Sequence, residues 1–91
     1  MHKNDLIKKV ADDTAVSNRD AEAVVNAVFK SIGDTIAGGE KVVVTGFGTF
    51  ERKTRKARKG RHPSTGAVID IPQKFAASFS PGKLLKEQVE G

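Results

Sequence analysis

The apolar positions along this chain change their period once, near residue 40. Before that point Leu6, Ile7, Val10 and Ala11 recur at helical spacing, and Ala21, Val24, Val25, Val28, Phe29, Ile32 and Ile36 continue the period as one wide face. Asn4 is the expected cap of the first helix, and Asp12, Asp13 and Thr14 read as a polar break after it. Ser17 opens the second helix, with Asp20 three residues on as an acidic variant of the capping box. Gly38-Gly39 closes it. Residues 4–38 therefore predict a helical hairpin with one apolar side.

From Lys41 the pattern is that of strands. Val42-Val43-Val44 is short and β-branched, Gly46-Phe47-Gly48 permits a tight reversal, and Thr49 to Ala57 favours extended chain. The cluster His62-Pro63-Ser64-Thr65-Gly66 is rich in turn residues. Val68, Ile69 and Ile71 resume a strand that Pro72 interrupts, and Phe75 and Phe79 follow, Phe79 on a core-facing strand. Ser80-Pro81-Gly82 is expected to open a last helix over 81–90, with Leu84, Leu85 and Val89 inside and Pro81 near its first position. The chain is thus read as one domain, 1–91, with a sheet over 41–80 and a β-hairpin arm over about 53–74.

Charge sharpens this picture. Arg52, Lys53, Arg55, Lys56, Arg58, Lys59 and Arg61 lie within ten residues that hold no acidic side chain, and the rest of the chain carries nine basic against eleven acidic residues. The net +5 is therefore +7 in one block and −2 elsewhere. Such a block repels itself and calls for a polyanion. Its order is basic-basic-small, a period of three, whereas strand side chains alternate with period two. On a strand that puts positive charge on both faces, which no ribbon can bury against its own core. The same i, i+3 arginines would fit a basic helix, and Gly60 and Pro63 count against one. Ten extended residues reach about 33 Å, close to the roughly 34 Å of one B-DNA turn.

The ordered set Gly46-Phe47-Gly48-Thr49-Phe50, Arg55, Arg58, Gly60-Arg61, Pro63, Thr65-Gly66, Ile71-Pro72, Phe79, Gly82-Lys83 and Leu85-Lys86, with Lys3, Leu6 and Ile7 near the start, resembles the HU/IHF family of bacterial histone-like proteins, and HU most closely. Pro81-Gly82 leans toward the IHF side. The resemblance implies an α+β fold in an intertwined dimer. A helical base carries a three-stranded antiparallel sheet, from which two β-ribbon arms protrude. It implies arms that enter the DNA minor groove and a tip proline, here Pro63, that intercalates and kinks the duplex. It also implies a DNA-binding set of Lys3, Gly46, Gly48, Arg52, Lys53, Arg55, Lys56, Arg58, Lys59, Arg61, His62, Pro63, Lys74, Lys83 and Lys86, and a dimer core of Phe29, Phe47, Phe50 and Phe79. Two positions depart from the family: His62 stands where asparagine is usual, and Phe75-Ala76-Ala77 lacks a proline that many relatives carry.

Other chemistries find little footing. Gly82-Lys83 lacks the glycine five residues earlier that a phosphate loop needs, and Glu51 holds the third glycine position of a dinucleotide fingerprint begun at Gly46. Two histidines sixty residues apart and no cysteine give neither a metal site nor a disulfide, so no enzyme, metal or cofactor is expected. No tryptophan or tyrosine supplies a stacking platform for single strands. A helix-turn-helix reader over 4–38 would set Asp20, Glu22 and Asp34 against phosphate, with only Arg19 and Lys30 to offset them. The expected partner is double-stranded DNA, bound by a homodimer or by a heterodimer with a paralogue. The alternatives are an IHF-like sequence-preferring subunit and an RNA-binding structural protein. Lys3, Lys8 and Lys9 around short apolar pairs do not make a signal peptide, and no run is long enough to span a membrane, so a cytoplasmic, nucleoid location is expected.

Overall fold

In the computed structural model, which describes residues 1–91, helix α1 spans Lys3–Thr14 and helix α2 spans Asn18–Ala37. The start of α1 lies earlier than expected. The backbone N–H of His2 donates to the Asp5 carboxylate at 2.9 Å, so His2 is the cap and Asn4 lies inside the first turn. The break expected at Asp12, Asp13 and Thr14 is also displaced, because these residues complete the helix. Lys9 pairs with Asp13 at 3.0 Å, and the Thr14 hydroxyl donates to the Val10 carbonyl at 2.6 Å. The chain leaves the helix at Ala15, whose φ of +60° is left-handed. Ser17 caps α2 as expected, its hydroxyl accepting the Asp20 N–H at 3.1 Å.

The chain forms two compact units, Met1–Asp34 and Thr35–Gly91. In the first, Ile7 and Ala11 of α1 bury against Ala21 and Val25 of α2, with Val10 packed at the edge. A fully buried valine or isoleucine stabilises by about 1.5–3 kcal/mol, and this core holds one of each. Ile32 and Ile36 are half-buried, and the middle of the wide apolar face stays open in the single chain: Val24 is 59% and Phe29 51% exposed.

The second unit carries five strands: β1 Val42–Val44, β2 Gly48–Arg55, β3 Arg58–Arg61, β4 Val68–Ile71 and β5 Lys74–Pro81. β1, β2 and β5 form a three-stranded antiparallel sheet in that order, and β3 and β4 form a separate two-stranded ribbon. Phe47 N–H closes the β1–β2 turn on the Val44 carbonyl at 2.9 Å, with Gly46 at φ +85°, as the third position of a type II turn requires. Between the pairs Arg55↔Lys74 and Arg58↔Ile71 both strands advance three residues, so one register runs from Gly48↔Pro81 to Arg61↔Val68. The ladder lapses only around Ala57 and Pro72, where proline has no N–H to offer.

Helix α3, Lys83–Glu90, begins after Pro81 rather than at it. Pro81 is the last residue of β5, paired with Gly48, and Gly82 is the cap, its N–H donating to the Phe47 carbonyl at 2.8 Å. Nor are Leu84 and Val89 inside: they are 62% and 78% exposed, and only Leu85 is half-buried. One chain offers this amphipathic helix too little surface to cover both leucines and the valine.

Candidate nucleic-acid interface

The root of the ribbon is built on aromatic packing. The rings of Phe50 and Phe79, paired across β2 and β5, lie 4.8 Å apart between centroids, and Phe47 joins them at 6.5 and 5.5 Å. Gly48 is buried beneath this cluster. A Cβ on it would stand 2.5 Å from the Phe79 ring and 2.6 Å from the Ser80 carbonyl oxygen. Close strand approach explains this glycine and the turn explains Gly46. Of the four phenylalanines expected in a shared core, these three form one cluster, and Phe29 belongs to the helical unit.

Beyond the root, cross-strand partners share a face. In the β2–β5 segment Phe50, Arg52 and Thr54 lie with Phe79, Ala77 and Phe75, while Glu51, Lys53 and Arg55 lie on the other face with Ser78, Ala76 and Lys74. In the β3–β4 segment Arg58 and Gly60 share a face with Ile71 and Ile69, and Lys59 and Arg61 share the other with Asp70 and Val68. Each face therefore carries basic side chains, as the period of three predicts. Arg55 and Lys74 are direct cross-strand partners, an arrangement that destabilises a free ribbon. At the lapse in the ladder, Arg55, Lys56, Arg58 and Lys74 line a notch of about 300 Å³ with Ile71 and Pro72, a concave site rimmed by four cations.

The tip is a compact, locally hydrogen-bonded turn. His62 N–H donates to the Ala67 carbonyl at 2.8 Å, and Gly66 N–H donates to the His62 carbonyl at 2.8 Å. Gly66 is at φ +70° with open space around it. The Ser64 N–H donates to His62 Nδ1 at 3.2 Å, and the Ala67 N–H donates to the Thr65 hydroxyl at 3.2 Å. The imidazole thus makes the side-chain-to-backbone bond that an asparagine makes in an Asx-turn. Pro63 is exposed at the end of this loop, held between the His62 backbone and the side-chain cap on Ser64.

Among the fifteen expected binding positions, the structure gathers Lys53, Arg55, Lys56, Arg58, Lys59, Arg61, His62, Pro63 and Lys74 on the ribbon, all exposed. Lys83 and Lys86 are exposed on α3, Lys83 standing 3.9 Å from Glu87, and Lys3 is exposed at the start of α1. Arg52 is exposed as well and has partners within the chain. Its Nη1 donates to the Ala37 carbonyl at 3.0 Å, and its guanidinium carbon lies 4.0 Å from the centroid of the Phe75 ring. A stacking contact of this kind is worth about 0.5–1 kcal/mol at an exposed site. Composition and periodicity point to neither this partnership nor the His62 cap. The register alone carries a signal for the first, since it sets Arg52 diagonal to Phe75 across β2 and β5.

On α2, Lys30 is paired with Asp34, which hydrogen-bonds to its ammonium and raises its pKa above the ordinary lysine value. One of the two basic side chains of α2 is thus offset by a neighbouring carboxylate. No group of three or more metal-ligating side chains comes together, and no helix is long and apolar enough to cross a membrane.

Comparison with known proteins agrees with this geometry. The chain is 48% identical over 90 residues to DNA-binding protein HU of Staphylococcus aureus, covering 99% of this chain and 100% of the relative. It is equally similar to an SPbeta prophage-derived DNA-binding protein HU 2 of Bacillus subtilis, over 99% of this chain and 98% of the relative. Among solved structures, the Anabaena HU–DNA cocrystal superposes with a TM-score of 0.87 at 40% identity, over 98% of this chain and 97% of the other. HU from Thermotoga maritima gives a TM-score of 0.69 at 29% identity, over 98% of each chain. A family profile described as "Bacterial DNA-binding protein" matches residues 1–90. With its α+β fold, its basic two-stranded ribbon and relatives over its whole length, the chain belongs to this bacterial DNA-binding family, the HU family of histone-like proteins, whose members bind DNA structurally and are not enzymes.

Proposed function

We propose that this protein is an architectural nucleoid protein that bends and compacts duplex DNA with little sequence preference, working as a homodimer whose two ribbons lie in the minor groove. The observation that carries the reading is the ribbon itself, with charge on both faces, one unbroken register and Pro63 exposed at its end. A strand pair basic on both sides suits a groove walled by phosphates on both sides, where each neutralised phosphate releases counterions. Arginine is favoured where a narrow minor groove concentrates negative potential. The notch at Pro72 suits one phosphate. Binding that reads backbone and groove shape rather than base edges gives little sequence preference.

Dimerisation is part of the proposal because apolar surface stays open in one chain. Val24, Val28, Phe29, Phe47, Phe79, Leu84 and Val89 are each at least 40% exposed, more apolar surface than a small soluble chain leaves bare without a partner. Sedimentation at micromolar concentration is expected to give twice the 9.7 kDa chain mass, and a folded monomer would refute the dimer.

Pro63 serves as the wedge. Its ring is rigid and apolar, and it has no N–H to leave unpaired inside a base stack. In minor-groove binders of the HU/IHF type, unstacking a step costs a few kcal/mol, offset by the extra protein surface that bent DNA contacts. The test is energy transfer between the ends of a duplex of roughly 30 bp, about three turns, at fixed salt. Pro63→Ala is expected to lengthen the end-to-end distance and to weaken the preference for nicked or pre-bent DNA. The fold should stay intact. A mutant that draws the ends as close as the parent protein does would make Pro63 an ordinary turn residue. Equal affinity for duplex RNA would favour the RNA-binding reading instead.

A further inference from the structure

We infer that Arg52 is a positioning residue that latches the root of the arm to the end of helix α2, and that it does not serve as one of the phosphate contacts of the basic run. This inference rests on the proposed DNA-bending function and deepens it.

The end of α2 supplies the reason. Gly39 is left-handed at φ +95°, Glu40 N–H donates to the Thr35 carbonyl at 3.2 Å, and Gly39 N–H donates to the Ile36 carbonyl at 3.0 Å. These two bonds are the pair that defines a Schellman ending, and they leave the next carbonyl, that of Ala37, without a backbone partner. Arg52 Nη1 takes that carbonyl at 3.0 Å. The last turn of α2 holds no basic side chain of its own, so the guanidinium also brings a positive charge to the negative end of the helix dipole. Gly39 leaves the room, since a Cβ there would lie 3.1 Å from Arg52 Nη2.

The other side of the guanidinium is engaged as well. Its carbon lies 4.0 Å from the Phe75 ring centroid, and Ala77, the direct cross-strand partner of Arg52, is small enough to let the side chain cross β5. One side chain therefore ties together the helix end, β2 and β5 at the point where the ribbon leaves the sheet. Its planar fork and stacked face use what arginine has and lysine lacks. A phosphate contact asks only for a positive charge that can reach the backbone, which either residue supplies.

That difference makes the test. Arg52→Lys, Arg52→Leu and Phe75→Leu are compared with the parent chain in two measurements: amide hydrogen exchange of the free full-length protein, and the slope of log affinity against log salt on duplex DNA. The latch predicts that both Arg52 substitutions speed exchange across 50–54 and 75–79 by roughly fivefold, with a salt slope equal to the parent's. Phe75→Leu, which keeps every charge, is expected to speed the same amides to a smaller degree. The inference is overturned if Arg52→Leu lowers the salt slope by about 1 per arm, Arg52→Lys restores it, and exchange at the root is unchanged. The exchange measurement uses no DNA, so it stands or falls separately from the bending proposal.

Discussion

The ribbon's root and its outer half share two strands and one register, yet different forces hold them. At the root, β2 and β5 are pinned by three packed phenylalanines, a glycine with no room for a methyl group and an arginine bonded to a helix end. In the outer half, β3 and β4 have only their own ladder, a contact of Ile71 over Gly60 and a hydrogen-bonded tip. An isolated two-stranded hairpin is marginal in water at best, and here it carries repelling charges. The difference teaches where to look for each property: the root holds the arm in place, and the outer half carries the groups proposed to meet DNA.

The largest effect is expected at the root. Gly48→Val forces a side chain into the Phe79 ring and the Ser80 carbonyl and should destabilise the fold by about 3 kcal/mol, read as a lower urea midpoint. An unchanged midpoint would mean that the root is as soft as the tip. Next comes the outer charge. Replacing Arg55, Arg58 and Arg61 together with alanine should lower the salt slope by up to roughly 3 per arm while leaving the urea midpoint within error, because all three are exposed. A fall in stability equal to that of Gly48→Val would erase the division between scaffold and interface.

Two smaller effects sharpen the comparison at the tip. Gly66→Ala meets no atom but must adopt φ +70°, a local cost of about 1 kcal/mol. It should speed amide exchange at 62–67 and spare the root. His62→Leu removes the acceptor for Ser64 N–H, worth roughly 0.5 kcal/mol. His62→Asn should restore it, visible as recovery of the Ser64 amide shift. If asparagine behaves as leucine does, the imidazole is a bystander.

Much of this was legible from periodicity. The change near residue 40, the Ser17 cap, the reversal at Gly46 and the tip at Pro63 are local signals with local causes, and the basic block reads as two-faced because strand geometry is rigid. The misses lie where a residue's role is set by something distant. Pro81 suits a helix start by its own φ, yet its pairing with Gly48 makes it the end of a strand. Asp12 and Asp13 resemble a break until Lys9 and the Thr14 back-bond extend the helix. Leu84 and Val89 have the spacing of a core and lie exposed because one chain cannot cover them. Arg52 is indistinguishable by type from its basic neighbours, and only the placement of Ala37 and Phe75 sets it apart.

The unbroken register across the lapse at Pro72 has a consequence for how such an arm can change length. A one-residue slip of either strand would turn every side chain beyond it to the opposite face, swapping Arg58 and Gly60 with Lys59 and Arg61 relative to their partners. Only matched additions of two residues on each strand preserve both the facing and the orientation of the tip. The arm's reach is therefore adjustable in steps of about 6.6 Å, so longer or shorter arms are reached by discrete jumps and not by gradual drift.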